Sequence, residues 1–450
     1  MDKKLLLKLV AIGFMSLLLL VPLALIEDQI RQRSSRQEEV QHSIANSAAG
    51  PQTLTGPVLA IDYRERIEPE IKEDPATGRT RSTPRFVDRS LYLPAETLKL
   101  TGEARVETRQ RGIYQARLYH LDLAVAGRFV LPVHLGLDGQ RNIVSAEATL
   151  LLGVSDPRGV DNDPLVNLGG KSRRFSTPKG SAQNGDALAG ERLAIPLGKV
   201  ALDAPTSFEF DFPLQLTGTQ RLAIAPTAEA NTIAIQSDWP HPSFAGRFLP
   251  RERSIGDAGF TARWEVSHLA RSFPNTLMAA KGGPNPEVLD ILFIDPVNVY
   301  LQSERAVKYG ILFIALTFAG FFLSEVLRRS PMHPLQYLLV GLALAVFFLL
   351  LIALSEHLPF VAAYAIAASA CIALIGTYLA GALADRRQGY TFAAALAGLY
   401  GVLYGVLLSE DNSLLMGSVL LFLALGAIML ATRRIDWYRI GPALAARPAE

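Results

Sequence analysis

Apolar residues in this 450-residue sequence are concentrated in long uninterrupted runs near its two ends. A helix needs about 20 such residues to cross the hydrocarbon core of a bilayer. Six runs reach that length: 5–26, 309–327, 335–354, 360–383, 390–408 and 414–432. Only a few residues separate the last five runs, so we expect these helices to be antiparallel neighbours. The pattern predicts a membrane protein with one N-terminal anchor and a C-terminal bundle of five helices.

Basic residues flank these runs on alternate sides. Lysines at positions 3, 4 and 8 accompany the first run, and arginine pairs follow the second, fourth and sixth runs at 328–329, 386–387 and 433–434. The connections at 355–357 and 409–411 are acidic. Because cytoplasmic loops carry the excess of Lys and Arg, both termini are predicted to be cytoplasmic. The first run is also compatible with a cleaved signal peptide, but no small-x-small site follows it, and we expect an uncleaved anchor.

Between the outer runs the pattern changes to short alternating segments that are typical of β-strands. Strand candidates lie at 58–63, 90–94, 98–108, 117–130, 143–153, 207–216, 221–226 and 231–236. Turn residues separate them and there is no βαβ rhythm, which predicts a mainly antiparallel, sandwich-like domain. The polar stretches 70–84 and 157–190 are predicted to be long loops.

The predicted fold class is therefore a membrane protein of α+β type with a bacterial inner-membrane location. Its predicted parts are an anchor at 1–26, a periplasmic β-rich domain at 27–305 that begins with a helical stalk at 27–49, a bundle at 306–439 and a cytoplasmic tail at 440–450. The periplasmic part contains 32 Lys and Arg against 34 Asp and Glu, so no nucleic-acid partner is expected. The single cysteine, Cys371, lies in an apolar run and excludes an internal disulfide.

Signatures of common catalytic sites are missing from the sequence. It contains no GxxxxGK[ST] loop, no HExxH motif, no GxSxG elbow and no GxGxxG after a strand. The segment STPK at 176–179 matches SxxK by letter, but it lies in a polar loop without companion motifs. We therefore expect a non-enzymatic protein with no metal and no cofactor.

Aromatic residues and prolines gather in the segments 237–250 and 259–273. Such a loop is suited to binding a partner or to resting on the outer leaflet, where Trp and Arg are favoured. The candidate periplasmic binding surface consists of Trp239, His241, Phe244, Arg247 and Trp264. The alternative, which we favour, is a strand pair whose aromatic side chains pack the core.

A Ser-Glu pair recurs at four helix ends, at 303–304, 324–325, 355–356 and 409–410, and three of these ends are predicted to be periplasmic. Ionisable residues near membrane depth are candidates for function. The candidate rim consists of Glu304, Glu356, His357, Glu410 and Asp411. At the water boundary, however, such residues cost little, and we favour a role in capping helices or setting topology.

Several longer motifs resemble the CreD family of inner-membrane proteins. They are KKLLLKL at 3–9, GPQTLTGP at 50–57, RGIY at 111–114, WPHPSF at 239–244, FIDPV at 293–297, YLQSERAVKY at 300–309, LSEH at 354–357, SED at 409–411 and RRIDWY at 433–438. The resemblance implies a role in envelope integrity, control by the CreBC two-component system, and association with colicin tolerance and the response to β-lactams. It supplies no catalytic residue.

Three functions fit these observations. The first is envelope maintenance, in which the β domain binds an envelope protein, peptidoglycan or a lipid and the helices anchor it in the bilayer. The second is transport or lipid handling through the acidic rim, although the spans lack charge at mid-depth. The third is hydrolysis with His241, Asp238 or Glu356 as acid or base, for which no nucleophile and base have suitable spacing. We favour the first.

Overall fold

Helices lie near the two ends of the chain and strands lie between them, as the hydrophobic pattern predicts. In this computed structural model the described residues are 3–73, 80–137, 142–176, 191–270, 277–278, 287–293, 295, 298–328, 332–382, 386–408 and 413–433. Two compact units make up the chain: unit 1 comprises Met1–Glu38 with Val297–Glu450, and unit 2 comprises Glu39–Pro296. In the part of the chain that the structure describes, unit 1 is helical apart from its connections, and the strands lie in unit 2.

The described residues of the six apolar runs are almost entirely helical, and the first run is divided between two helices. The helices are α1 Lys3–Leu18, α2 Leu20–Ser47, α3 Val299–Lys308, α4 Gly310–Arg328, α5 Pro334–Ser355, α6 Phe360–Ala382, α7 Arg386–Leu408 and α8 Ser413–Thr432. Among the described residues, four helices are long and apolar enough to cross a membrane, and a fifth span results if α3 and α4, bent by 42°, are taken together. The apolar part of α8, Leu415–Leu430, is shorter.

Aromatic and small side chains pack the helices of unit 1. Phe347 and Tyr364 are buried, and the Tyr364 hydroxyl donates to the Tyr400 carbonyl oxygen at 2.7 Å. A Cβ atom on Gly389 of α7 would lie 2.6 Å from the Ala380 backbone of α6. Backbones can approach this closely only where side chains are small, so this glycine sets the α6–α7 contact.

Unit 2 contains sixteen described strands. They are β1 Gln52–Glu73, β2 Thr80–Pro94, β3 Thr97–Arg111, β4 Tyr114–Leu131, β5 Asn142–Val154, β6 Leu165–Leu168, β7 Lys171–Arg174, β8 Glu191–Lys199, β9 Thr206–Thr219, β10 Arg221–Ala225, β11 Ala230–Ser237, β12 Pro242–Gly246, β13 Glu252–Gly256, β14 Gly259–Ser267, β15 Leu277–Met278 and β16 Leu289–Phe293. Every predicted strand lies within one of them, except for Pro226, which follows the end of β10.

The strands form two sheets. Sheet A has the order β12-β16-β10-β1-β2-β15, with β5 also paired to β1 and β8 paired to β5. Sheet B has the order β13-β14-β11-β3-β4-β9-β6-β7. The sheets are mixed, because β1 pairs with β10 and β3 pairs with β11 in parallel.

The two predicted long loops need correction. Residues 70–73 and 80–84 continue β1 and β2 as a paired ribbon, with Glu73 opposite Thr80, whereas 74–79 lie outside the described residues. Most residues of these two segments are polar, so the sequence lacked the apolar alternation that indicates a strand. In the second stretch, β6 and β7 form a hairpin, and 177–190 lie outside the described residues.

One continuous core joins the inner faces of the two sheets. Tyr119 of sheet B lies against Phe293 of sheet A, with ring centroids 4.9 Å apart. Phe244 of sheet A meets Trp264 of sheet B edge to face at 5.7 Å. Both sheets therefore bury one face together, and the opposite face of sheet B is left to solvent along β3, whose burial alternates residue by residue.

Polar contacts fix the end of α2 within unit 2. Arg158 donates to the Asn46 carbonyl oxygen at 2.6 Å, which satisfies one of the orphan carbonyls at the helix end. The Asp156 carboxylate accepts from the Gly50 amide at 2.9 Å and from the Arg158 guanidinium. These bonds, led by that of Arg158, lower the pKa of Asp156 from its usual value to about 2.

Candidate functional site

The aromatic residues of the predicted binding surface are divided between core and surface. Trp264 is 1% exposed, and its indole N–H donates to the Phe248 carbonyl oxygen at 3.2 Å. Phe244 packs against Trp264 and against Phe260, at 5.5 Å from the latter. These rings pack in the core, as in the interpretation that we favoured, but Phe244 and Trp264 lie on strands of different sheets and not on a strand pair.

Trp239 and His241 form a patch with a neighbouring arginine. The Trp239 ring is partly buried and lies 4.8 Å from the Arg117 guanidinium carbon, and its N–H donates to the His241 carbonyl oxygen. Arg117 also pairs with Asp295 at 2.5 Å. His241 is exposed and meets Trp239 edge to face at 5.9 Å. A role of this patch in binding stays a prediction.

Arg247 forms an ion pair with Glu287, which is not part of the predicted surface. Its guanidinium lies 3.4 Å from the carboxylate of Glu287, and the side chain is exposed. Among the five residues of the predicted surface, the structure thus brings together Trp239 with His241 and Phe244 with Trp264, whereas Arg247 pairs with an acid outside the set.

At the predicted outer end of the helices, the described rim acids are paired with bases. The Glu356 carboxylate, at the C-terminal cap of α5, lies 3.5 Å from the Arg33 guanidinium and 3.4 Å from the Tyr300 hydroxyl. Glu304 pairs with Lys308 one turn later at 2.9 Å. His357 is exposed. Glu410 and Asp411 lie outside the described residues.

A second acid–base–tyrosine group, which the sequence did not suggest, lies near the opposite end of α5. Lys8 of α1 pairs with Glu325 of α4, and its ammonium also donates to the Met332 carbonyl oxygen at 2.8 Å. The Tyr337 hydroxyl donates to the other Glu325 oxygen at 3.2 Å. A buried carboxylate in apolar surroundings requires such partners. The only sequence signal was the Ser-Glu pair at 324–325.

The two groups bracket the apolar length of α5. Tyr337 lies near the start of the helix, and Glu356 follows its last residue, 19 positions later. At a rise of 1.5 Å per residue this corresponds to about 28 Å, which is close to the thickness of the hydrocarbon core. Each group therefore lies at one boundary of a bilayer-sized apolar layer, and each fixes the N-terminal helices to the bundle.

A groove of about 970 Å³ crosses the solvent face of sheet B. We call it the outer groove. Two adjacent rows of residues line it, each formed by side chains that lie opposite one another on neighbouring strands. The polar row consists of Ser254, Thr261, Gln236, Glu103, Asp122 and Gln215. The floor row consists of Arg263, Ala234, Thr101, Ala124 and Pro213.

Acidic side chains orient the amides of the polar row. Gln215 donates to Asp122 at 2.9 Å, and Gln236 donates to Glu103 at 3.3 Å. Arg105 completes the group with a 2.6 Å contact to Asp122. The hydrogen bond from Gln215 and the bond and charge of Arg105 keep the pKa of Asp122 below its usual value. The row is therefore a fixed series of donors and acceptors at neutral pH.

Beside the polar row lies a chain of hydrogen bonds that resembles a catalytic triad by composition. The Thr217 hydroxyl donates to Asp161, and His120 Nδ1 lies 2.8 Å from the same hydroxyl oxygen. Glu107 lies 3.4 Å from His120 Nε2. Because the hydroxyl proton is directed to Asp161, the oxygen is an acceptor from His120, which is the reverse of what an activated nucleophile requires. Among the described residues, no group of three or more His, Cys, Asp and Glu side chains is arranged to hold a metal ion.

Comparison with known proteins identifies relatives over nearly the whole chain. The sequence profile of the family described as inner membrane protein CreD matches residues 4–438. The inner membrane protein CreD of Escherichia coli K12 is 35% identical over 424 residues, which cover 94% of this chain and 91% of that protein.

Similarity to solved structures is weak. A Legionella pneumophila protein described as nutrient binding has a TM-score of 0.24 and 8% identity, covering 50% of this chain and 76% of that one. An M1 zinc metallopeptidase from Deinococcus radiodurans has a TM-score of 0.20 and 9% identity, covering 44% and 42%. Scores this low carry no argument about fold or function.

Proposed function

This chain belongs to the CreD family of inner membrane proteins, and we propose that it maintains the integrity of the cell envelope without enzymatic activity. In this proposal, unit 2 lies in the periplasm and binds a component of the envelope, and the helices of unit 1 hold it at the inner membrane. The observation that carries the proposal is the outer groove, which has the volume of a ligand site and contains a row of polar side chains, two of them oriented by acids. Clefts of this volume are typical of ligand sites.

The topology that we propose has six spans, with both termini in the cytoplasm and residues 27–305 in the periplasm, where the two sheets form a sandwich. The alternation of basic and acidic flanks supports this orientation. The separation of the two acid–base–tyrosine groups along α5 supports a span between them.

No observation on the described rim favours transport or lipid handling. Glu304 and Glu356 are each paired with a base, so neither carboxylate is free to bind a cation or a lipid amine without losing its partner. We therefore propose that Glu304 and Glu356 stabilise the helix ends.

The proposal is tested by replacing residues 50–295 with a flexible linker and expressing the variant in cells that lack the native protein. We expect loss of the envelope phenotype, read as increased sensitivity to detergent and to β-lactams, while the variant is still inserted in the membrane. Fractionation provides the insertion control, and an exposed substitution in unit 2, Asp163→Asn, is the matched control for expression. Full restoration of resistance by the linker variant would contradict the proposal.

A further inference from the structure

We propose that the outer groove binds a glycan strand of the cell wall. This inference rests on the proposed function, because it requires unit 2 to face the wall. It assigns the site within unit 2 and the chemical class of the ligand: an extended, uncharged polymer rich in hydroxyl and acetamido groups.

The polar row has the length and direction to bind a polymer. Its six side chains come from six neighbouring strands, β13, β14, β11, β3, β4 and β9, so the row runs perpendicular to the strands. With strands about 4.8 Å apart, five steps span about 24 Å. This spans several sugar rings in a linear chain, and a single small metabolite would occupy only part of the row.

The hydrogen-bonding groups match sugar chemistry. Hydroxyl and acetamido groups both donate and accept, and they are best bound by side chains that do the same. Gln215, Gln236, Ser254 and Thr261 have this property, and all four are exposed on the groove. Because Asp122 and Glu103 each accept an amide N–H from a glutamine, the amide oxygens are left to accept from a ligand.

The charge of the groove is balanced. Its lining contains the acids Glu103, Asp122 and Glu252 and the bases Arg253 and Arg263, and Arg105 supplies a third base through its pair with Asp122. A groove for nucleic acid or for an anionic lipid surface would carry a marked excess of Arg and Lys. An uncharged polymer is the ligand that this balance complements.

The floor of the groove is formed mainly by small side chains. Ala234, Thr101, Ala124 and Pro213 leave room for a ligand to lie close to the sheet, and the alanine methyls suit the methyl of an acetamido group. Protein interfaces depend on aromatic and large aliphatic side chains that fill pockets in the partner. None of the residues lining this groove is aromatic. An extended peptide, moreover, pairs with strand edges, whereas this groove crosses the sheet face.

The experiment uses the full chain in detergent or nanodiscs. Two probes are measured: the soluble β-1,4-linked hexamer of N-acetylglucosamine, by titration, and purified peptidoglycan sacculi, by co-sedimentation. Ala234→Lys places a long side chain on the floor, and Gln236→Ala removes a polar group. Ala230→Lys is the matched control, because it lies on the same strand and face about 13 Å away.

We expect the wild-type chain and Ala230→Lys to bind both probes alike, and Ala234→Lys and Gln236→Ala to bind at least tenfold more weakly. All three substituted positions are on a strand with exposed or half-exposed side chains, and thermal unfolding checks that each variant is folded. The inference is overturned if the wild-type chain binds neither probe, or if Ala234→Lys and Ala230→Lys bind equally. Binding to sacculi without groove dependence overturns it as well.

The outcome separates this inference from the proposed function. If the linker variant fails to restore envelope resistance but groove substitutions leave glycan binding unchanged, the groove assignment alone is wrong. If groove substitutions abolish glycan binding but the linker variant restores full resistance, the groove assignment stands and the proposed function is wrong.

Discussion

The Lys8–Glu325 pair of unit 1 and the Arg64–Asp88 pair of unit 2 differ in how far each charge is removed from water. In unit 1, the side chains of Lys8 and Glu325 are 21% and 3% exposed. Glu325 also accepts a hydrogen bond from a tyrosine hydroxyl, and Lys8 donates one to a backbone carbonyl oxygen. In unit 2, Arg64 and Asp88 are 54% and 73% exposed. The contacts are of the same chemical type, but only the first requires a charge to be stripped of its hydration shell.

This difference shows what ion pairs contribute in each place. A buried pair adds little net stability over an apolar pair of similar volume, yet loss of one partner leaves an uncompensated charge. An exposed pair is screened and its loss is compensated by water. We therefore infer that the buried Lys8–Glu325 pair specifies which helices pack together, whereas exposed pairs such as Arg64–Asp88 contribute mainly to solubility. The three predictions below test this contrast.

The largest effect is expected for Lys8→Met. The substitution leaves the Glu325 carboxylate buried without a cation, which should cost about 3–5 kcal/mol and lower the Tm of the full chain in detergent. The double variant Lys8→Met/Glu325→Gln removes both charges and keeps a partner for Tyr337, so it should regain most of that loss. Lys308→Met, in the exposed pair with Glu304, is the control. A double variant no more stable than Lys8→Met would contradict the interpretation.

An intermediate effect is expected for Asp156→Asn in unit 2. The pKa of Asp156 is lowered to about 2, so its carboxylate stabilises the fold at neutral pH, and that stability is lost as the pH falls from about 4 to about 2. The substitution should cost about 2 kcal/mol at pH 7, and the difference from the wild-type chain should close near pH 2.

Thermal unfolding followed by tryptophan fluorescence from pH 7 to pH 2 measures this difference. Asp163→Asn is the matched control, because its pair with Arg174 is exposed on both sides. A gap between Asp156→Asn and the wild-type chain that stays constant down to pH 2 would show that the charge of Asp156 is not what stabilises the end of α2.

The smallest effect is expected for Asp88→Asn. Its partner Arg64 is exposed, and the pair lies on the β1–β2 ribbon, so we expect no measurable change in Tm. A destabilisation as large as that of Asp156→Asn would mean that the ribbon is covered in the native protein, and the contrast between the units would then be wrong for this pair.

Local pattern predicted most of the elements. Apolar runs of membrane length became helices, and alternation such as Phe208, Phe210 and Phe212 became strands, because both signals depend on near neighbours in the chain. The same reasoning failed at 70–73 and 80–84, where most residues are polar and no alternation of apolar residues indicates a strand, although the two segments pair with each other.

Candidate sites were predicted less well, for a related reason. Aromatic density in the segments 237–250 and 259–273 fits a functional surface as well as the core that we favoured, and the structure assigns Phe244 and Trp264 to the core. The outer groove was not predicted because its lining is assembled mainly from three residues on each of six strands, and no single stretch of sequence contains the site.

By itself, the sequence determined the family, the apolar helices and the β character of the central part, since these follow from composition, periodicity and extended motifs. Only the tertiary structure decided that Lys8 meets Glu325, 317 residues away, and that six strands align their polar side chains in one row. Such pairings depend on strand register and helix packing across long separations, and these are set by the burial of the whole core.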